Sequence, residues 1–239
     1  MNLTKYKRVL IKLSGEALAG SDGFGINRCV IDNIVSQIVE LHRANVQICI
    51  LAGGGNFWRG RIDPSMDRTT ADHMGMLATV INCLALQDAL ERAGTQTRVQ
   101  TAITIASVAE PYIRRKASNH LEEGRIVIFG CGTGNPYFTT DTAAVLKAAE
   151  MCVDVLLLAK NVDGIYSADP KKDKKARKFD QITYDELLKL NLKAMDQTAA
   201  TLCIENNIRT LAFGLNEPNS IIRAITEEKF GTILQVKFD

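Results

Sequence analysis

Short apolar runs rich in β-branched residues alternate with longer segments of helical periodicity along most of this 239-residue chain. Residues 9–14, Val-Leu-Ile-Lys-Leu-Ser, predict a first strand that ends at Gly15. Between 27 and 43, Val30, Ile31, Ile34, Val35, Ile38 and Leu41 fall on one stripe, the signature of an amphipathic helix. A second strand is predicted over 47–51, ending at Gly53-Gly54-Gly55, followed by a helix over 72–93, a strand over 98–100 and a helix over 111–122. The second half repeats this order. A strand over 125–129 runs into a glycine-rich loop, and a helix is predicted over 142–150. Residues 153–158 are almost wholly apolar, which predicts a strand buried on both faces. Helices over 184–189 and 195–206, strands over 208–213 and 232–236, and an intervening helix over 218–227 complete the pattern. Such alternation predicts an α/β protein: a three-layer α/β/α fold with a central mostly parallel sheet. With no low-complexity linker, residues 1–239 are expected to form one domain with two functional halves.

Composition narrows the functional classes. Apolar and charged fractions of 46% and 23% are ordinary for a soluble protein, and no apolar stretch approaches the ~18 residues of a membrane span. A net charge of +2 supplies no global field for nucleic acid or an acidic membrane, so an anionic ligand must be held by a few placed charges. The run from Lys171 to Lys178 has no interleaved aromatics and is expected to be a solvated loop rather than a nucleic-acid patch. The six cysteines are scattered without a CxxC pair, as free thiols in a reducing cytoplasm would be, and no signal peptide precedes Lys12. None of the three histidines belongs to a nucleophile or metal constellation, so no metal site of the protein's own is expected.

Three glycine-rich segments follow predicted strands: Lys12-Leu13-Ser14-Gly15, Gly53 through Gly60, and Gly130 through Asp141. At the carboxyl edge of a parallel sheet, glycines let backbone N–H groups approach anionic oxygens closely. Two of the segments carry a cation, Lys12 and Arg59. Neither a P-loop G-x-x-x-x-G-K-[ST] nor a dinucleotide G-x-G-x-x-G follows the first strand. The pattern suits phosphoryl transfer to a group that is already anionic, where no general base is needed and placed cations dominate. Asp141 fits both a site role and a helix N-cap, Asp196 reads as a cap, and Asp169 before Pro170 suits a turn.

These residues resemble the bacterial uridylate (UMP) kinases, of the amino-acid-kinase fold. The likeness rests on Val9–Gly15, Gly53-Gly54-Gly55-Asn56, Asp72-His73-Met74-Gly75-Met76, Gly132-Thr133-Gly134-Asn135-Pro136-Tyr137-Phe138-Thr139-Thr140-Asp141 and Val162-Asp163-Gly164-Ile165-Tyr166-Ser167-Ala168-Asp169-Pro170. It runs in order from about Tyr6 to the C-terminus. The resemblance implies transfer of the γ-phosphate of ATP to UMP, with Mg²⁺ carried on ATP. It implies that Lys12, Leu13, Ser14, Gly15, Gly55 and Arg59 meet ATP phosphates, with Lys12, Arg59 and Asp141 catalytic. Lys160 or Asn161, with Tyr166 and Asp169, would serve the adenosine. Gly54, Arg59 and Thr140 would hold the UMP phosphate, Asp72 the ribose, and Thr133 and Asn135 the uracil, in a loop completed by Gly134, Pro136, Tyr137, Phe138 and Thr139. Some members are hexamers that UTP inhibits and GTP activates. This chain has Gln87 and Glu91 where GTP-activated members carry a basic residue and a histidine, while Asp88 and Arg98 remain. A homohexamer with UTP feedback is therefore implied, and GTP activation is left open. The alternatives are a kinase of a small carboxylate on the same fold and a non-catalytic nucleotide sensor or storage protein.

Overall fold

The computed structural model describes residues 6–58, 65–170 and 172–238. The first half contains β1 (Arg8–Leu13), α1 (Gly15–Ala19), α2 (Arg28–Arg43), β2 (Gln47–Ala52), α3 (Arg68–Arg92), β3 (Thr97–Thr101), β4 (Glu110–Pro111), α4 (Arg114–Glu122) and β5 (Ile126–Gly130). The second half contains α5 (Thr140–Glu150), β6 (Val155–Lys160), β7 (Ile165–Tyr166), β8 (Lys178–Phe179), β9 (Gln181–Thr183), α6 (Tyr184–Lys189), α7 (Gln197–Glu205), β10 (Thr210–Gly214), α8 (Ser220–Thr226) and β11 (Thr232–Gln235). Among the described residues nine strands form one sheet in the order β4-β3-β5-β2-β1-β6-β10-β11-β9, and β7 pairs with β8 as a separate hairpin. Every pairing in the large sheet is parallel except that of β10 with β11. The expected three-layer α/β/α arrangement with a mostly parallel sheet is what the chain adopts.

Apolar residues on both faces explain why the central strands read as continuous runs. Val9, Ile11, Leu13, Ile48, Ile50 and Ile128 pack with Ile34 and Ile38 of α2, Leu86 and Leu90 of α3, and Ile221 of α8. Leu10, Cys49, Leu51, Phe129, Leu156 and Leu158 pack on the opposite face with Leu121 of α4, Val145 and Ala148 of α5, Leu187 of α6 and Cys203 of α7. The alternation assigns Lys12, two residues after Leu10, and Lys160, two after Leu158, to the face that α5 covers. Register does the rest. Lys12 pairs with Leu51 and Leu158, and Leu51 pairs with Phe129, so the strand ends that open into the glycine-rich loops form one row.

Several local expectations need correction. Residues 110–111 form the edge strand β4, and α4 begins only at Arg114, because Glu110 pairs with Gln100 and Pro111 with Thr101. The helix after β5 starts at Thr140, so Asp141 lies in its first turn; the cap is Thr139, whose hydroxyl accepts from the amides of Asp141 and Thr142. Helix α3 begins four residues before Asp72, capped by Asp67. The basic run, apart from Lys171 outside the described residues, is an exposed turn that ends in β8, as a solvated loop would.

At the sheet edge, the Glu110 carboxylate accepts from Nε2 of His120 at 3.0 Å and from Gln100 at 3.1 Å, with Lys116 Nζ at 3.1 Å. His120 Nδ1 faces Arg125 at 3.0 Å, and arginine can only donate, so the ring proton sits on Nε2. Burial works to raise the Glu110 pKa, but the donors from His120, Gln100 and Lys116 outweigh it and hold the group at about 2, against a usual 4.5. A depressed carboxyl stabilises the fold above its ordinary pKa, and that contribution disappears as the pH falls through the folded value. Glu110→Gln should therefore cost about 1–3 kcal/mol at pH 7. In urea unfolding, the gap between wild type and variant should narrow steadily between pH 5 and pH 2.5; a gap independent of pH would contradict the assignment.

Candidate active site

Two lysines and one aspartate converge at the carboxyl edge of the sheet. Lys12 Nζ lies 2.8 Å from Asp141 Oδ1, and the two side chains are only 14% and 21% exposed. Asp141 reaches this position because its helical neighbours four and seven residues on, Val145 and Ala148, are the face of α5 that packs on the sheet. Lys160, the last residue of β6, donates from Nζ to the Ala194 carbonyl. Burial works to raise the Asp141 pKa, yet the charges of Lys12 and then Lys160 hold the carboxyl below its ordinary range. Burial, helped by Lys12, pushes the Lys160 ammonium down against the pull of Asp141. The two lysines and the aspartate are thus electrostatically coupled in one small cluster.

The glycine loops meet beside this cluster with almost no space between their backbones. A Cβ on Gly15 would stand 2.3 Å from Asn56 Oδ1 and 2.6 Å from the Gly55 nitrogen. A Cβ on Gly54 would stand 2.7 Å from the Gly75 carbonyl oxygen and 2.9 Å from Ala78 Cβ of α3. Glycine is thus required at both positions by contact, not by turn conformation. Ser14 opens α1 as its cap, accepting from the Ala17 amide.

The loop between β5 and α5 is held at both ends by carboxylates. Asp72 of α3 accepts from Arg68 Nε at 2.8 Å and from the Tyr137 amide at 2.8 Å. At the other end Asp196, the cap of α7, accepts from the hydroxyls of Thr139 and Thr142 and from the Ala199 amide. In between, Thr133 Oγ1 accepts from the Asn135 amide at 3.2 Å, and Cys131, Gly132, Gly134 and Tyr137 all have positive φ. This loop borders a cavity of about 470 Å³ lined by Gly54, Gly55, Asp72, Thr133, Asn135, Phe138, Thr139 and Thr140, together with Trp58, Arg68, Thr79 and Asp196. A second cavity of about 540 Å³ is lined by Lys160, Tyr166, Asp169, Lys172 and the segment 190–194. Thr140 lines the first cavity and is followed in the chain by Asp141, and Lys160 stands in the wall of the second.

The structure brings most of the predicted residues together. Gly134, Pro136 and Tyr137 belong to the loop without lining its cavity, and Asn161 is exposed outside the second cavity, whereas Lys160 lines it. Tyr166 donates its hydroxyl to Asp163 at 2.6 Å, and Lys178 Nζ lies 3.1 Å from the same carboxylate, so the ring is clasped by the β7–β8 hairpin. Arg59 lies outside the described residues. Sequence reading missed Arg68, whose guanidinium is 5.4 Å from the Tyr137 ring centroid, although its position four residues before Asp72 is the spacing of a helical ion pair. It also gave Asp196 only its capping role, because the two threonines that Asp196 binds lie more than fifty residues away, 54 and 57.

Comparison with known proteins gives the same picture. The chain is 39% identical to a UMP kinase of Bacillus anthracis, with 98% of this chain and 97% of that one covered and a TM-score of 0.94. A UMP kinase of Ureaplasma parvum is also 39% identical, over 97% and 99% of the two chains, with a TM-score of 0.91. A uridylate kinase of Archaeoglobus fulgidus is 28% identical over 95% and 99%, with a TM-score of 0.72. The amino acid kinase family model matches residues 7–213, and with a sheet edge, a paired Lys12–Asp141 and two loop-bordered cavities in that span, the chain belongs to the amino acid kinase family.

Proposed function

We propose that the chain transfers the γ-phosphate of ATP to UMP, giving UDP for pyrimidine nucleotide biosynthesis. The observation that carries this reading is the loop 133–140, anchored by Asp72 and Asp196 against a cavity, with Thr140 in the cavity wall and the next residue, Asp141, paired to Lys12. Its likeness to UMP kinases of known structure supports UMP as the acceptor. The attacking oxygen of a monophosphate is already anionic, so the protein has to align two phosphates and neutralise charge, without a general base. Lys12 stabilises the transferring group, and Lys160 adds a second cation from the ATP side. Asp141 is a positioning residue for both lysines, and its depressed pKa keeps it ionised at neutral pH.

Leu13, Ser14, Gly15 and Gly55 hold the ATP phosphates, and Gly54, Thr140 and Arg59 hold the UMP phosphate. Asp72 serves the ribose, Thr133 and Asn135 the uracil, and the cavity at Tyr166 and Asp169 the adenosine. With its hydroxyl committed to Asp163, Tyr166 offers its ring. Mg²⁺ supplies charge neutralisation when it arrives on the ATP phosphates. The donor set fits a metal carried by nucleotide, since the carboxylate at the proposed phosphate site, Asp141, is already paired with Lys12.

The same reading covers assembly and regulation. Residues 1–239 act as one domain in a homohexamer, and UTP, which shares its base and ribose with UMP, inhibits by feedback. Self-association is supported by the exposed stripe Met74, Leu77 and Ile81 on α3, at 37%, 51% and 48% exposure, because an apolar stripe of this kind is suited to burial against another copy. GTP activation forms no part of the proposal; at the positions concerned Glu91 faces Arg98 at 3.7 Å, and Gln87 donates to the Thr97 carbonyl. Six free cysteines, four of them buried, suit the reducing cytoplasm. No helix among the described residues is long and apolar enough to cross a membrane.

ADP release should be measured with Mg-ATP and UMP, CMP, AMP, GMP, dUMP, aspartate or N-acetylglutamate. Strong turnover with UMP is expected; turnover only with a carboxylate would point to the alternative substrate class, and none at all to a sensor. Lys12→Ala should lower kcat by about a hundredfold or more, as loss of a transition-state cation does. Near-normal kcat in that variant would show that the charge comes from elsewhere.

A further inference from the structure

Deep beneath the glycine loop, two asparagine side chains form a closed amide pair that no step of phosphoryl transfer requires. Asn82 of α3 is 0% exposed and Asn56 is 1% exposed. Asn82 Nδ2 donates to Asn56 Oδ1 at 2.7 Å, and Asn56 Nδ2 donates back to Asn82 Oδ1 at 3.0 Å. Each amide has one further proton. Asn82 uses its own on the Gly53 carbonyl at 2.6 Å, and Asn56 uses its own on the Gly25 carbonyl at 2.7 Å. The Gly25 amide closes the circuit on the Asn56 carbonyl at 3.2 Å. All four side-chain N–H groups are spent, which is what makes such a buried polar network rigid and costly to disturb.

We propose that Asn82 is a positioning residue for the phosphate loop. It acts through Gly53 and Asn56 to fix the peptide planes of Gly54 and Gly55, and through Asn56 it ties the segment around Gly25 to the same loop. The geometry favours this over a purely structural anchor. The Gly53 carbonyl and the Asn56 amide bracket the two glycines assigned to the substrate phosphates, and Asn56 Oδ1 stands where a Gly15 Cβ would be. A rotation of the pair would change the distance between the β1 and β2 loops, and with it the spacing of the donor and acceptor phosphates. Errors of about 1 Å at such a site reduce rates by as much as a hundredfold. An apolar helix side chain at position 82 would fill the space but leave the Gly53 carbonyl, Asn56 Oδ1 and one of the two Asn56 amide protons without their Asn82 partner.

This inference rests on the proposed phosphate roles of Gly54 and Gly55, and the test separates the two. Asn82→Ala and Asn82→Asp should be studied well below their melting temperatures. Asn82→Asp keeps the shape and the acceptor oxygen but loses both donors. In each variant kcat with UMP and ATP should fall about tenfold or more, and UMP should bind several-fold more weakly. Uridine, which has no phosphate, should bind within twofold of wild type. Because burial raises a carboxyl pKa, the Asn82→Asp variant should regain activity relative to wild type as the pH falls from 8 to 6, where protonation restores one donor. Amide hydrogen exchange in residues 20–27 should speed up at least tenfold in Asn82→Ala, whatever the substrate. Wild-type kcat and unchanged exchange in 20–27, with only a lower Tm, would overturn the proposal. So would equal weakening of uridine and UMP. If the wild type fails to turn over UMP, the function assigned above fails, and the exchange measurement alone decides the role of the pair.

Discussion

The ion pair between Lys12 and Asp141 is the constraint to which the rest of the molecule answers. Removing two charges from water costs several kcal/mol for each ion and is tolerated only when the partners meet in good geometry. Here the partners come from the most central strand of the sheet and from a helix that begins 128 residues after Lys12. The pair is closed at 2.8 Å because β1 lies between β2 and β6, and α5 is packed on one face by Val145 and Ala148. Lys160, on the neighbouring strand and the same face, faces the same carboxylate. This concentration of basic side chains suits an anionic ligand, and it is built from main-chain placement rather than from a basic protein surface: the whole chain carries only +2.

Around this cluster the protein trades side-chain bulk for proximity. Gly15, Gly53 and Gly54 sit where an added methyl group would meet another backbone or α3 within 3.0 Å. Two loops and a helix can be brought that close only if the polar groups between them are satisfied, and the Asn56–Asn82 pair does so. The acceptor-side loop uses a different device. Its glycines and positive-φ residues give it an irregular path, and carboxylates at 72 and 196 hold its two ends. Rigid elements thus carry the anchors, while the loops carry the groups that would touch a nucleotide.

Much of the fold was legible because its long elements repeat apolar residues at helical or strand spacing. The stripe from Val30 to Leu41 became α2, and the run ending at Leu158 became β6, buried on both faces. Short elements left no such trace. Strands β4 and β7 are two residues each, and α1 is one turn, so their existence depends on partners rather than on a local period. Pro111 lay at the start of the helix expected over 111–122; its pairing with Thr101 of β3 put it on a sheet edge instead. Asp141 satisfied the local pattern of a cap, but Thr139 took that role and released the carboxylate for Lys12.

By itself the sequence determined the order of strands and helices, the glycine loops at strand ends and the residue types at those ends. These follow from periodicity and from the backbone freedom of glycine, which act over a few neighbouring positions. Only the tertiary structure decided which of those residues share a site. Strand order sets β6 beside β1 and α5 over both, so Lys12, Asp141 and Lys160 meet although nothing in their local sequence links them. The same holds for Asp72 with Tyr137, Asp196 with Thr139, and Asn56 with Asn82. Each contact joins segments far apart in the chain, and its energy exists only once the sheet has brought them together.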